Sequence, residues 1–163
     1  MNKDWLIGFL EGEGNFNVIL SRSYKKRNPN YSFEFYPILQ FRIFLREDDL
    51  PVLEKIKTFL SVGKIYRKSY NYSRKKGIMS SDQFVFYVTS SKDLLKIKDI
   101  FQTGEFHTKK KKDMIYFFKI LDLKLKSRHL TRESYDQIIL LATSMNSENR
   151  GNWKSKEVKL LTE

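Results

Sequence analysis

Along this chain the hydrophobic period switches back and forth between that of a helix and that of a strand, and the switching lays out the elements. Asp4 can cap a helix whose apolar run is Trp5, Leu6, Ile7, Phe9 and Leu10, ending at Gly12 and Gly14. Residues 15–24 then alternate, with Phe16, Val18 and Leu20 on one side and Asn15, Asn17 and Ser21 on the other, a strand with one wet face. Residues 31–45 repeat the alternation: Tyr31, Phe33, Phe35, Leu39, Phe41 and Ile43 oppose Ser32, Glu34, Gln40 and Arg42. The basic turn Lys25–Asn30 between them makes a hairpin. A helix is predicted from about Asp49, with Pro51 in its first turn, Leu53, Ile56 and Leu60 on one stripe, and Gly63 at its end. Strand-like residues 64–73 and 83–89 flank a basic loop at 74–81, and Ser91 can cap a helix carrying Leu94, Ile97 and Phe101. The order so far is α-ββα-ββα. Helices over Asp113–Lys126 and Thr131–Met145 follow. No linker divides residues 1–146, which read as a single α+β domain, and residues 147–163 read as a basic C-terminal tail.

Composition narrows the function. A length of 163 residues fits one domain, since chains split mainly beyond about 250 residues. With 40% hydrophobic and 15% aromatic residues the chain can bury a core, which excludes a disordered polybasic tail. Runs such as Trp5–Leu10 fall far short of the ~20 apolar residues of a membrane span, so no membrane partner is expected. No secretory signal pattern opens the chain, and the expected location is intracellular, in a prokaryotic cytoplasm or an organelle. Cysteine is absent, which removes disulfides, thiolate chemistry and zinc-thiolate sites. No glycine-rich phosphate loop precedes a helix, so no small-molecule cofactor is implied.

Charge supplies the main pointer. The net charge is +12, and the bases come in blocks. Arg22, Lys25, Lys26 and Arg27 form the first; Lys64, Arg67, Lys68, Arg74, Lys75 and Lys76 form the second. The third runs from Lys109 through Lys112 to Lys119, Lys124, Lys126, Arg128 and Arg132. Interleaved with Tyr and Asn, such blocks suit a surface that tracks phosphates, so nucleic acid is the first candidate partner.

The first helix contains a conflict with its own stability. Gly8 and Gly12 each cost about 1 kcal/mol relative to Ala in a helix, yet they share a face. A face without side chains is useful where another backbone must come very close. Glu11 and Glu13 sit at the helix C-terminus, where the macrodipole disfavours anions, which points to a task such as metal binding.

These residues carry a resemblance. Leu6-Ile7-Gly8-Phe9-Leu10-Glu11-Gly12-Glu13-Gly14 resembles the nine-residue signature of the LAGLIDADG homing endonucleases. The α-ββα-ββα order, the basic run Phe106–Lys112 before a late helix, and Leu130–Glu133 followed by Met145-Asn146 resemble the family too, over roughly residues 4–146. The resemblance implies the family's fold: an αββαββα core with an antiparallel, DNA-binding saddle sheet and extra C-terminal helices.

The single signature implies a homodimer, with Leu6, Gly8, Phe9 and Gly12 at the contact between two signature helices. It also implies that Glu13, with Gly12 beside it, binds Mg²⁺ or another divalent cation such as Mn²⁺, while Glu11 is structural. A lysine of the basic run, Lys109 or alternatively Lys111, would polarise the attacking water or balance phosphate charge. The family's Gln at the end of the second strand falls on Leu45, and Arg46 or Gln40 could serve instead. Exposed strand side chains would contact DNA bases in the major groove. The candidates are Asn15, Asn17, Ser21, Arg22, Ser32, Glu34, Gln40, Arg42, Tyr66, Arg67, Lys68, Tyr70, Gln83 and Tyr87.

The function expected from this resemblance is intron-type homing: Mg²⁺-dependent cleavage of double-stranded DNA at a long pseudo-palindromic site, leaving short 3′ overhangs. The alternative is a non-cleaving binder on the same fold, an intron RNA maturase or a DNA-binding regulator. The retained acids Glu11 and Glu13 favour cleavage, though intron RNA stays a possible second partner. A basic RNA-binding protein of ribosomal type is the remaining alternative.

Overall fold

The computed structural model describes residues 1–22, 33, 35–68, 82–126 and 131–146. The basic turn, the loop at 74–81, Ser32, Glu34, Tyr70, Leu130 and the tail 147–163 lie outside the described residues. The elements are α1 (Lys3–Glu13), β1 (Gly14–Arg22), β2 (Phe35–Arg46), a 3-10 turn (Glu47–Asp49) and α2 (Leu50–Leu60). They continue with β3 (Lys64–Lys68), β4 (Gln83–Val88), α3 (Ser91–Gln102), α4 (Lys110–Lys126) and α5 (Arg132–Asn146).

The element order agrees with the hydrophobic pattern, and the departures are at the ends. Asn2, not Asp4, caps α1: its side-chain oxygen accepts the Trp5 N–H at 2.9 Å. Asp4 lies in the first turn, where the helix dipole favours an acid. Ser90, not Ser91, caps α3 by accepting the Asp93 N–H. Helix α2 stops at Ser61, which takes a left-handed φ of 54°, and Gly63 follows at φ 84°. Helix α4 starts at Lys110 rather than Asp113, so Lys110–Lys112 form its first turn. A cap fixes a helix end through one or two hydrogen bonds, which periodicity cannot see.

The strands make a four-stranded sheet in the order β1-β2-β4-β3. β4 lies antiparallel between β2 and β3, with Ile43 opposite Phe86 and Ile65 opposite Phe86.

By its contacts the chain divides into two compact units. The first comprises Met1–Asn15 and Gln40–Thr108. Its core is built from the apolar stripes of α1 (Leu6, Leu10), α2 (Leu53, Ile56) and α3 (Leu94, Ile97), all fully buried. From the strands, Phe41, Ile43 and Phe86 complete it, with the Phe41 ring 5.1 Å from that of Phe101. Fully burying each such side chain contributes about 1.5–3 kcal/mol. The second unit comprises Phe16–Leu39 and Lys109–Glu163. Here Phe16 packs on Phe117 and Phe118 of α4, and the buried Tyr135 of α5 accepts the Phe35 N–H on its hydroxyl at 3.2 Å. Lys124 donates to the Pro37 carbonyl at 2.8 Å and lies 4.4 Å over the Tyr36 ring.

Gly63 is the most constrained turn residue of the first unit. A Cβ there would stand 2.6 Å from the Phe86 ring and 2.9 Å from Val88, in addition to the left-handed backbone. Gly63→Val should therefore lower stability by about 3 kcal/mol or more through strain and overpacking, read as a fall in the urea midpoint.

Candidate functional site

Helix α1 presents three faces with different partners. Leu6 and Leu10 point into the core of the first unit. Lys3, Ile7 and Glu11, four residues apart in turn, line a second face. Segment 103–108 runs along it. Lys3 Nζ donates to the Thr103 carbonyl at 2.7 Å, and a Cβ on Gly104 would meet Ile7 at 2.6 Å. Glu11 Oε1 accepts the backbone N–H groups of His107 and Thr108, each at 2.6 Å. The Thr108 N–H holds the Glu11 carboxyl below its ordinary pKa, with His107 adding to the effect against partial burial.

The third face carries Trp5, Gly8, Phe9 and Gly12. A Cβ added at Gly8 or Gly12 would meet nothing within 4 Å among the described residues, so their packing does not require glycine at either position. Trp5 and Phe9 stack at 5.1 Å beside them, and Trp5 is 47% exposed. Gly14 differs: a Cβ there would press on the Leu10 carbonyl at 2.7 Å, so only glycine passes from α1 straight into β1.

Glu13 ends α1 as an exposed carboxylate. Among the described residues no three His, Cys, Asp or Glu side chains come together as a metal cluster. Glu13 is nevertheless the hard oxygen donor that Mg²⁺ or Mn²⁺ takes, and the Gly12 carbonyl is of the same kind. The donor types in one chain fit such an ion; their number calls for a second carboxylate.

The register sorts the sheet candidates. Directly opposed residues share a face, so Arg42, Tyr87 and Lys64 form one row, Phe44, Val85 and Tyr66 the next, and Arg46, Gln83 and Lys68 a third. Arg42 donates to Asn15 at 3.2 Å, which joins the start of β1 to the same face. Burial lowers the Arg42 pKa, partly offset by Tyr87, yet the group remains a cation. Both Arg42 and Lys68 lie over the Phe44 ring, at 5.4 and 5.2 Å. This face therefore carries Lys64, Lys68, Arg42 and Arg46 around a central aromatic.

Two candidates fall elsewhere. Arg67 shares the opposite face with Phe84 and Ile65, and it pairs with the buried Asp82 at 2.8 Å and with Glu47 at 3.4 Å. Its partners hold it away from the face that Tyr66 and Lys68 occupy. Arg22 has the parity of the buried Phe16, Val18 and Leu20, although it is exposed at the strand end. Asn15 is exposed, and Asn17 and Ser21 share its parity. Gln40 shares that of Arg42 and Phe44. Arg46 is exposed and pairs with Asp48 at 3.4 Å. Lys109 is exposed just before α4, and Lys111 is exposed in its first turn.

Sequence reasoning missed Phe44, although the alternation that places Gln40 and Arg42 on the wet side also places Phe44 there. It also missed what Glu11 binds, for which no local signal exists.

Comparison with known proteins shows the family and the fold. The family model described as LAGLIDADG endonuclease matches residues 6–121. The chain is 28% identical over 140 residues to "Probable intron-encoded endonuclease 3" of Neurospora crassa, covering 85% of this chain and 24% of that protein. It thus spans about a quarter of the length of the curated relative it matches. The solved homing endonuclease I-TnaI superposes with a TM-score of 0.76 at 25% identity, over 99% of this chain and 96% of its own. I-SmaMI, bound to uncleaved DNA target in the presence of calcium ions, gives 0.76 at 28% identity over 98% of this chain and 48% of its own. I-CpaMI bound to uncleaved DNA gives 0.77 at 26% identity, over 99% and 50%.

Proposed function

The chain belongs to the LAGLIDADG endonuclease family, and from that premise we propose that it is a site-specific DNA endonuclease acting as a homodimer. The observation that carries the proposal is the signature helix: an exposed Glu13 follows Gly8 and Gly12, where a Cβ would meet nothing within 4 Å among the described residues. Two such helices can approach closely only through a face without side chains, and their approach would bring two Glu13 carboxylates together. Glu13, with the Gly12 carbonyl, would hold the divalent cation, Mg²⁺ or Mn²⁺, that supplies charge neutralisation and water activation for phosphodiester hydrolysis.

The chain's own groups divide the remaining work. Lys109, or Lys111 as the alternative, would place a cation against the phosphate or the attacking water. Arg46, or alternatively Gln40, both with the parity of the wet face, would stand in for the polar group that the family places at the end of the second strand. Asn15, Asn17, Ser21, Gln40, Arg42, Tyr66, Lys68, Gln83 and Tyr87 would meet base edges, with Asn and Gln suited to adenine and Arg or Lys to guanine. Phe44 holds Arg42 and Lys68 over its ring and suits contact with a thymine methyl. Arg67 is left out, because its ion pairs serve the turn before α2 and the start of β4. The two-fold symmetry of a homodimer matches a long pseudo-palindromic site, and one cut on each strand, staggered towards the 3′ side, would leave short 3′ overhangs.

Selection from a randomised duplex library tests the proposal. With Mg²⁺ the purified protein should recover one long site cut on both strands, and chelation by EDTA should stop cutting. Tight binding of duplex DNA or structured RNA with no cutting in Mg²⁺ or Mn²⁺ would favour the non-cleaving alternative, a maturase or regulator.

A further inference from the structure

Glu11 is placed against the helix dipole, at the end of α1 where an anion is disfavoured, so its position is not explained by the stability of α1. Its carboxylate is instead spent on a segment far along the chain. A single oxygen accepts two consecutive backbone N–H groups, those of His107 and Thr108, and the same helix face grips Thr103 through Lys3 and Gly104 through Ile7. Phe106, between the grips, is buried. The chain from Thr103 to Thr108 is thereby tied at both ends to the helix that carries Glu13. The next residue is Lys109.

We propose that Glu11 is a positioning residue for Lys109, fixing the backbone of the two residues before it and so the point from which the lysine side chain reaches out. The proposal rests on the reading of Lys109 as the cation that acts on the phosphate or the attacking water. A lysine has four rotatable bonds, and its ammonium is a directed cation only when the backbone that carries it is held. Glu13 and Glu11 lie two residues apart and point to different sides, so neither interferes with the other.

The test uses the full chain and the duplex recovered by its own library selection. Glu11→Ala should speed hydrogen exchange at the 107 and 108 amides by at least about tenfold. It should slow single-turnover cleavage by about a hundredfold, since a displacement of about 1 Å in a catalytic group costs that much. DNA affinity should stay within about threefold, because the interaction removed acts on the chemical step. Glu11→Gln, which keeps an oxygen acceptor, should recover most of the rate. In the Lys109→Ala background, Glu11→Ala should add less than about twofold, because both changes remove one function.

Multiplied losses in the double variant, or a loss confined to affinity, would overturn the proposal and leave Glu11 a purely structural residue. If Lys109→Ala alone cut at the unmodified rate, the role of Lys109 would fall and the positioning role with it, whatever the amides did. Should Glu11→Ala fail to fold, Thr108→Pro removes both hydrogen bonds of Thr108 to Glu11, from its N–H and its hydroxyl, without altering α1, and carries the same comparison.

Discussion

Glu13→Gln is expected to reduce cleavage by about a thousandfold or more while leaving duplex affinity within about threefold of its starting value. Amide and carboxylate have nearly the same shape, so packing is preserved, and the position is exposed at the end of α1 rather than built into the core. What changes is charge and donor strength. A hard divalent cation takes ionised oxygen ligands, and stabilisation of the charge that develops at phosphorus is worth several kcal/mol, with each 1.4 kcal/mol a factor of ten. On this proposal binding would rest elsewhere, on Arg42 and Lys68 at base edges and on Lys64 and other bases at phosphates, so a gel shift should see little change. Single-turnover cutting measured beside the gel shift separates the two. Full cutting by the variant would remove Glu13 from the active site, and with it the reading of this chain as a nuclease of this type.

Gly12→Leu should do the opposite of an ordinary core substitution: the chain should become slightly more stable and lose its function. In a helix Leu is favoured over Gly by about 0.5–1 kcal/mol, and among the described residues nothing lies within 4 Å of a Cβ at this position. Urea unfolding measured at concentrations below the dimer dissociation constant, where both proteins are monomers, should therefore shift upward or not at all. Two α1 helices packed through Gly8 and Gly12 could not accommodate the side chain, and the dimer dissociation constant should rise by about a hundredfold, the scale of a central interface position. Sedimentation across a concentration series reads the constant directly, and cutting should fall in step with dimer content. An unmodified protein that sediments as a monomer at micromolar concentration would overturn the paired arrangement.

Several features of the site are local and could be read from the string. The alternation over 15–22 and 35–46 belongs to single strands, so Asn15, Asn17, Gln40 and Arg42 appear on the wet side of β1 and β2 without any knowledge of their neighbours. The glycine pair and Glu13 lie within three turns of one helix, so the signature that they resemble is local as well. Residues 64–68 mark the limit of such reading. Lys64, Tyr66, Arg67 and Lys68 are polar or amphipathic at both parities, so the string offers no choice of face. The pairing of Ile65 with Phe86 and of Arg67 with Phe84 makes the choice, and Asp82 then takes Arg67 as its partner.

From sequence alone came the order of elements and the wet faces of the first two strands, because each depends on periodicity within one element, while Glu13 as the acid expected to do the chemistry came from the resemblance of the nine-residue signature. Folding in three dimensions settled which basic residues share a face, that Phe44 sits among them, and that Glu11 ties down the chain before Lys109. Those facts depend on cross-strand register and on partners up to 97 positions away, and contacts of that range leave no period in the chain that makes them.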